Sequence, residues 1–323
     1  MTAALSVEHL TLGLELDSGR FPVVADLSFT VERRQTLCII GESGSGKTLT
    51  ALALMRLLPG AVGIDSGRIV LDGQDLTDLS ERQVADLRGL KIAMIFQEPM
   101  TSLNPVMTIG KQLAEGILRH RDVTRRDAMK RAVEMLGLVG LPDPEMQAKR
   151  YPHQLSGGMR QRAMIAMSLA CDPLVLVADE PTTALDVSVQ AEILRLIRDL
   201  QARMGTGVVM ITHDFGVVAE VADHVLVMYG GRQVETAPVD AIFDEPLHPY
   251  TRGLLAAAPR VAREGEPPAR LREIPGAVPR VDGFGEGCAF APRCPLAQPR
   301  CSLQPPPLEE KRPGHKAACW EVA

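Results

Sequence analysis

An apolar run, Thr36-Leu37-Cys38-Ile39-Ile40, passes directly into Gly41-Glu42-Ser43-Gly44-Ser45-Gly46-Lys47-Thr48, and a helical pattern follows from Lys47 to Leu58, stopped by Pro59-Gly60. The octet fits G-x-x-x-x-G-K-[ST] in the strand–loop–helix setting that this motif requires. Glycines let successive backbone N–H groups curl round an anion without Cβ clashes, and the following helix adds its N-terminal partial charge. Lys47 supplies a point charge for outer phosphates, and the Thr48 hydroxyl is a ligand for Mg²⁺. Gly41, Ser43, Gly44, Ser45, Gly46, Lys47 and Thr48 are the expected phosphate-binding residues.

A second feature supports the same chemistry. Leu174-Val175-Leu176-Val177-Ala178 reads as a buried strand that ends in Asp179-Glu180. A parallel strand delivers its last residues to the sheet edge where phosphate loops also lie. Asp179 is then placed for Mg²⁺ and Glu180 for polarising an attacking water. Alone, such a pair is usually a solvated strand end; beside a phosphate loop it points to a nucleoside triphosphatase.

The surrounding pattern is α/β. Residues 1–30 alternate as antiparallel strands around Asp17-Ser18-Gly19, 67–73 read as a hairpin and Lys91–Phe96 as a buried strand. Residues 101–170 are mainly helical. Strand and helix then alternate: Val187–Met204 (helix), Gly207–Ile211 (strand), Phe215–Ala222 (helix) and Val225–Tyr229 (strand). This rhythm predicts a mostly parallel sheet interrupted by a helical insert. From about Pro259 the composition shifts to Pro, Gly, Arg and Glu, marking a loop-rich, strand-poor appendix. Net charge is −5 and aromatics are 3%, which leaves neither a basic field nor stacking platforms for nucleic acid. No apolar run approaches the ~18 residues of a membrane span, and no secretory signal opens the chain, so a cytosolic location is expected.

Leu155-Ser156-Gly157-Gly158-Met159-Arg160-Gln161 resembles the signature motif of ATP-binding-cassette (ABC) ATPases. Gln97 resembles that family's Q-loop glutamine, Ala184-Leu185-Asp186 its D-loop and His213 its H-loop histidine, all in the family's order. The resemblance covers roughly residues 5–255. It implies an ABC-type P-loop core with an antiparallel β subdomain, an inserted helical subdomain at about 101–170, and a C-terminal extension over 256–323. It further implies that two cassettes sandwich ATP head-to-tail. Ser156, Gly157 and Gly158 would cap the partner's γ-phosphate, and Asp186 would communicate across the interface. Gln97 would sense metal or water, His213 would contact the γ-phosphate, and Glu180 would act as general base. The family often stacks adenine on an aromatic ring; here Phe21 either serves as that ring or simply begins a strand.

Gln97–Pro105, Tyr151–Arg162, Asp179–Val187 and His248-Pro249-Tyr250-Thr251 resemble the dipeptide/oligopeptide/nickel-importer branch. That resemblance implies a heterodimer with a second ATPase subunit, two permeases, an extracytoplasmic peptide-binding protein, and a place at the inner face of the cell membrane. Nickel import is the nearest rival function. A soluble ABC protein of DNA repair or translation is another, but those usually carry two cassettes or a long coiled coil. The tail spacing Cys288-x₅-Cys294-x₆-Cys301-x₁₇-Cys319 is looser than the pairs of a usual Cys₄ zinc site. Resemblance to peptide-importer ATPases favours a [4Fe–4S] cluster on these four residues, with another metal or free thiols as alternatives. Cys38 and Cys171 read as small buried hydrophobes.

Overall fold

The computed structural model describes residues 3–97, 102–183, 186–258, 273–279, 281 and 286–322. Strands β1 (Leu5–Leu16) and β2 (Gly19–Val31) form an antiparallel hairpin. After β3 (Thr36–Ile40) and α1 (Lys47–Leu54), β4 (Val62–Leu71) and the short β5 (Gln74–Asp75) complete a four-stranded sheet, in the order β2-β1-β4-β5. Helix α2 (Glu81–Leu87) opens on a reciprocal capping box between Ser80 and Gln83 and leads to β6 (Ile92–Ile95).

The helical region comprises α3 (Ile109–His120), α4 (Arg125–Leu138), α5 (Pro144–Ala148) and α6 (Gly157–Leu169). Next come β7 (Val175–Asp179), α7 (Val187–Met204), β8 (Gly207–Thr212), α8 (Phe215–Val221), β9 (His224–Tyr229) and β10 (Arg232–Pro238). Helices α9 (Val239–Asp244), α10 (Pro249–Ala257) and α11 (Pro299–Leu303) precede β11 (Glu309–Arg312) and β12 (His315–Ala317).

The larger sheet runs β11-β12-β10-β9-β3-β8-β7-β6. Its β9-β3-β8-β7-β6 part is parallel, and β10, β12 and β11 add to it antiparallel. Alternation along each strand sorts the core into two layers. Leu37, Ile39, Val175, Val177, Val209 and Ile211 face the four-stranded sheet and α1. Cys38, Ile40, Leu176, Ala178, Val208 and Met210 face the helical side, where they meet α6 and α7. Each fully buried Leu, Ile or Val contributes about 1.5–3 kcal/mol. Because both faces are covered, these strands read as unbroken apolar runs.

Three sequence expectations need correction. The tail is not strand-poor: β12 joins the principal sheet, with Glu235 opposite Ala317 and the Ala318 N–H donating to the Val234 carbonyl at 2.8 Å. Its edge partner, Glu309-Glu310-Lys311-Arg312, has no apolar alternation to betray it. The helix from Lys47 ends at Leu54 rather than Leu58, because Arg56 turns left-handed (φ 52°) and the Leu57 N–H closes onto the Leu52 carbonyl. Phe21 lies inside β2 opposite Leu14 and begins nothing. Cys38 and Cys171 are buried as expected. Ala184 and Leu185 of the expected D-loop, and residues 98–101 after Gln97, lie outside the described residues.

Candidate functional site: a phosphate loop facing an acidic strand end

The five parallel strands all point their C-terminal ends to one edge of the sheet, and each hands over to a candidate residue. Strand β3 runs into Gly41, β6 towards Gln97, β7 into Glu180, β8 into His213 and β9 into Gly230-Gly231. Ser43, Gly44, Gly46, Lys47, Thr48, Gln97, Glu180 and His213 converge on one cavity of about 630 Å³. That size suits a small-molecule ligand.

The loop geometry depends on glycine at two points. Gly41 has φ 155°, and a Cβ there would run into the Met228 carbonyl; Gly46 has φ 95°, and a Cβ would lie 2.9 Å from Val24 Cγ2. Lys47 Nζ donates to the carbonyls of Gly41 (2.7 Å) and Glu42 (2.8 Å) and to Ser45 Oγ (3.2 Å). Burial pushes the Lys47 ammonium below its ordinary value, partly offset by Glu180, Asp179 and Glu42. A poorly solvated cation so placed strongly favours an anion.

Asp179 is 2% exposed, and its Oδ1 has no hydrogen-bond partner. Burial raises its carboxyl, opposed by a hydrogen bond from the Thr48 hydroxyl and reinforced by neighbouring Glu180. A buried carboxylate oxygen with no donor, beside a threonine hydroxyl at a phosphate loop, is a donor set that fits Mg²⁺.

Glu180 is the hub of the edge. Its φ of 46° is unusual for a residue with a side chain, and its N–H is fixed by the Ile211 carbonyl at 3.0 Å. Oε2 accepts from Gln97 Nε2 (3.1 Å) and Thr183 Oγ1 (2.9 Å), and His213 Nδ1 faces Oε1 at 3.0 Å. Burial alone would raise its carboxyl, but the His213 and Thr183 bonds and the charges of His213 and Lys47 hold it below the ordinary value. This ionised, oriented carboxylate could accept a proton from a water on the cavity side.

Other predicted residues lie apart. Ser156 caps α6 through the Met159 N–H (3.3 Å), and Ser156 and Gly157 are exposed. None of Ser156, Gly157, Gly158 or Asp186 lines the cavity. Asp186, exposed, precedes α7 as its N-terminal flank. Gln161 ties α6 to the acidic strand end by donating to the Pro181 carbonyl.

Cys288, Cys294, Cys301 and Cys319 all border one narrow cavity beside Phe290 and Trp320. The Leu296 N–H donates to Cys294 Sγ at 3.4 Å. Among the described residues, however, no three His, Cys, Asp or Glu donors converge closely enough to hold a metal ion. The four cysteines thus share a cavity without forming a tight donor group there.

Sequence reasoning missed the side chains that hold Glu42 of the phosphate loop. Tyr250 Oη accepts the Glu42 N–H at 2.8 Å, and the Tyr250 N–H in turn donates to His248 Nδ1 at 3.1 Å. The His-Pro-Tyr-Thr segment thus caps α10 and steadies the loop. The Arg293 guanidinium grips the Glu42 carboxylate at 2.6 and 3.1 Å. Only the His-Pro-Tyr-Thr pattern was visible in the sequence; nothing local singles out Arg293.

A family model described as ABC transporter matches residues 24–183, and one described as oligopeptide/dipeptide transporter, C-terminal region, matches residues 234–301. A probable peptide ABC transporter ATP-binding protein of Sinorhizobium fredii, y4tR, is 54% identical over 295 residues, spanning 91% of this chain and 88% of that protein. The oligopeptide transport ATP-binding protein AppD of Bacillus subtilis is 46% identical over 321 residues, spanning 99% and 97%. Among solved structures, the dimeric ATP-binding cassette MJ0796 in a post-hydrolysis state with ADP and Pi aligns with a TM-score of 0.65 at 26% identity. That alignment covers 73% of this chain and 98% of the other.

Proposed function

Since this chain belongs to the ABC transporter ATP-binding family, in its dipeptide/oligopeptide branch, we infer that it hydrolyses ATP to drive peptide import across the cell membrane. The observation that carries the chemistry is Glu180, ionised and held by Gln97, Thr183 and His213 opposite the phosphate loop.

The N–H groups of Gly41–Thr48 and the Lys47 ammonium seat the triphosphate. Glu180 accepts a proton from water as that oxygen attacks the γ-phosphorus and the bond to ADP breaks. Gln97 and Thr183 hold the carboxylate in place, and His213 borders the γ-phosphate position. Thr48 and Asp179 would hold Mg²⁺, with Gln97 bordering it; the ion, when bound, neutralises phosphate charge. Ser156, Gly157, Gly158 and Asp186 lie outside the chain's own cavity, which supports their use in closing a partner's site.

That partner is a second ATPase subunit, in a heterodimer beneath two permeases fed by an extracytoplasmic peptide-binding protein. The assembly works at the inner face of the membrane. No helix among the described residues is long and apolar enough to cross a membrane. Residues 1–255 form the ATPase and 256–323 its extension. We further propose that Cys288, Cys294, Cys301 and Cys319 would hold a [4Fe–4S] cluster. Their shared cavity and the N–H aimed at Cys294 support this. When bound, the cluster would staple the tail. About four irons per chain after anaerobic purification would agree; an iron-free, colourless chain would sink it.

The test of the main reading is ATP turnover by the chain alone and co-expressed with its partners, with and without peptide-loaded binding protein. Peptide-stimulated turnover is expected, falling roughly 10²–10⁴-fold in Glu180→Gln while ATP binding persists. Turnover indifferent to permeases and peptide would favour a soluble ABC ATPase instead.

A further inference from the structure

Besides the phosphate loop and the acidic edge, the cavity has an end that neither explains. Val23 and Leu49 contribute apolar surface from the core, and Pro279 and Val281 contribute it from the C-terminal extension. Among the described residues, no Phe, Tyr or Trp lines the cavity, Phe21 included. Lys47, Gln97, Glu180 and His213 are the residues suited to a triphosphate, which leaves Val23, Leu49, Pro279 and Val281 for the rest of the nucleotide.

The segment bearing Pro279 and Val281 is fastened by one buried side chain. Arg293, 4% exposed, donates from Nε to the Pro275 carbonyl (2.9 Å) and from Nη2 to the Ile274 carbonyl (3.2 Å). The same guanidinium makes the two bonds to Glu42 and lies 5.8 Å over the Tyr229 ring, with Nη1 3.4 Å from Tyr229 Oη. Ile274 and Val278 pack against the helical-side core, and Ile274 lies so near Gly253 of α10 that a Cβ there would sit 3.1 Å away. The segment is therefore anchored at the backbone and through its side chains.

We propose that the extension is a working part of the nucleotide site. Pro279 and Val281 form a wall against which the base packs. Arg293 is the positioning residue that locks this wall to the phosphate loop and neutralises Glu42. A purine face pressed on aliphatic and prolyl carbons gains affinity by area burial alone. Glu42 without its guanidinium would leave a bare carboxylate at the loop that must receive a tetra-anion. The inference rests on reading this cavity as the ATP site.

The experiment compares equilibrium binding of ATP and of inorganic tripolyphosphate to the purified full chain. Val281→Asp and Pro279→Gly, both partly exposed positions, should weaken ATP about tenfold and leave tripolyphosphate within twofold. Arg293→Met should weaken both ligands. Arg293→Lys keeps the charge but not the forked grip on Ile274 and Pro275, so it should restore tripolyphosphate and not ATP. Wild-type ATP affinity in both Val281→Asp and Pro279→Gly would overturn the proposal. A wild-type chain that binds tripolyphosphate but not ATP would instead overturn the ATP reading beneath it.

Discussion

His248 should make this chain acid-labile, by an amount that can be worked out. It is buried at the start of α10, where Nδ1 accepts the Tyr250 N–H, and burial pulls its pKa from 6.5 to about 3. The unfolded chain takes up a proton near pH 6.5 and the folded chain does not, so stability is complete above that value and is lost as pH falls through it. At pH 5 the loss from this residue is about 2 kcal/mol, growing by ~1.4 kcal/mol per further unit until pH 3. Asparagine also caps helices by accepting an N–H but does not titrate. His248→Asn should therefore cost about 1–2 kcal/mol at pH 8 through lost packing. It should also flatten the decline between pH 8 and pH 5 by about 2 kcal/mol, read by urea denaturation at each pH. Parallel pH profiles for the two proteins would refute the reasoning.

Two more predictions address the loop itself. Tyr250→Phe leaves the Glu42 N–H without its acceptor; a loss of about 1–3 kcal/mol in unfolding free energy, with weaker ATP binding, is expected in denaturation and calorimetry. Burial raises the Asp179 carboxyl, so Mg²⁺ must displace a proton where the group still holds one. The Mg²⁺ dependence of ATP affinity should therefore strengthen as pH rises just above the ordinary carboxylate value, and Asp179→Asn should abolish that slope. A pH-independent Mg²⁺ effect in the native chain would contradict this.

Much of the fold could be read directly where burial is two-sided or alternation is clean. β7 was legible as an apolar run ending in two carboxylates, α7 was expected with the bounds it has, and the β1–β2 hairpin followed from alternation around Asp17-Ser18-Gly19. α2 was overlooked although its capping signal, Ser80 with Gln83, stands in the sequence; only Val84 of that helix is buried, so no apolar stripe drew attention to it. β11 and β12 escaped because an edge pair of charged residues carries no hydrophobic period. The site divides similarly. The phosphate loop is contiguous and was visible, and Glu180 followed from an apolar strand ending in two carboxylates, whereas Gln97 and His213 were joined to them only through family order. Pro279 and Val281 reach the cavity, and Arg293 reaches Glu42 of the phosphate loop, from more than two hundred residues along the chain, a closeness that no local pattern records.

The seam between β10 and β12 bears on how this chain can be shortened. Without the tail, β10 would present an unpaired row of N–H and C=O groups, and Glu235 would lose the buried His315 ring that sits 2.7 Å from it. Such an open edge recruits strands from other molecules. A protease cut after α10 would thus yield a self-associating fragment rather than a lighter cassette, because the strand that covers the β10 edge arrives only at His315–Ala317, beyond the cut.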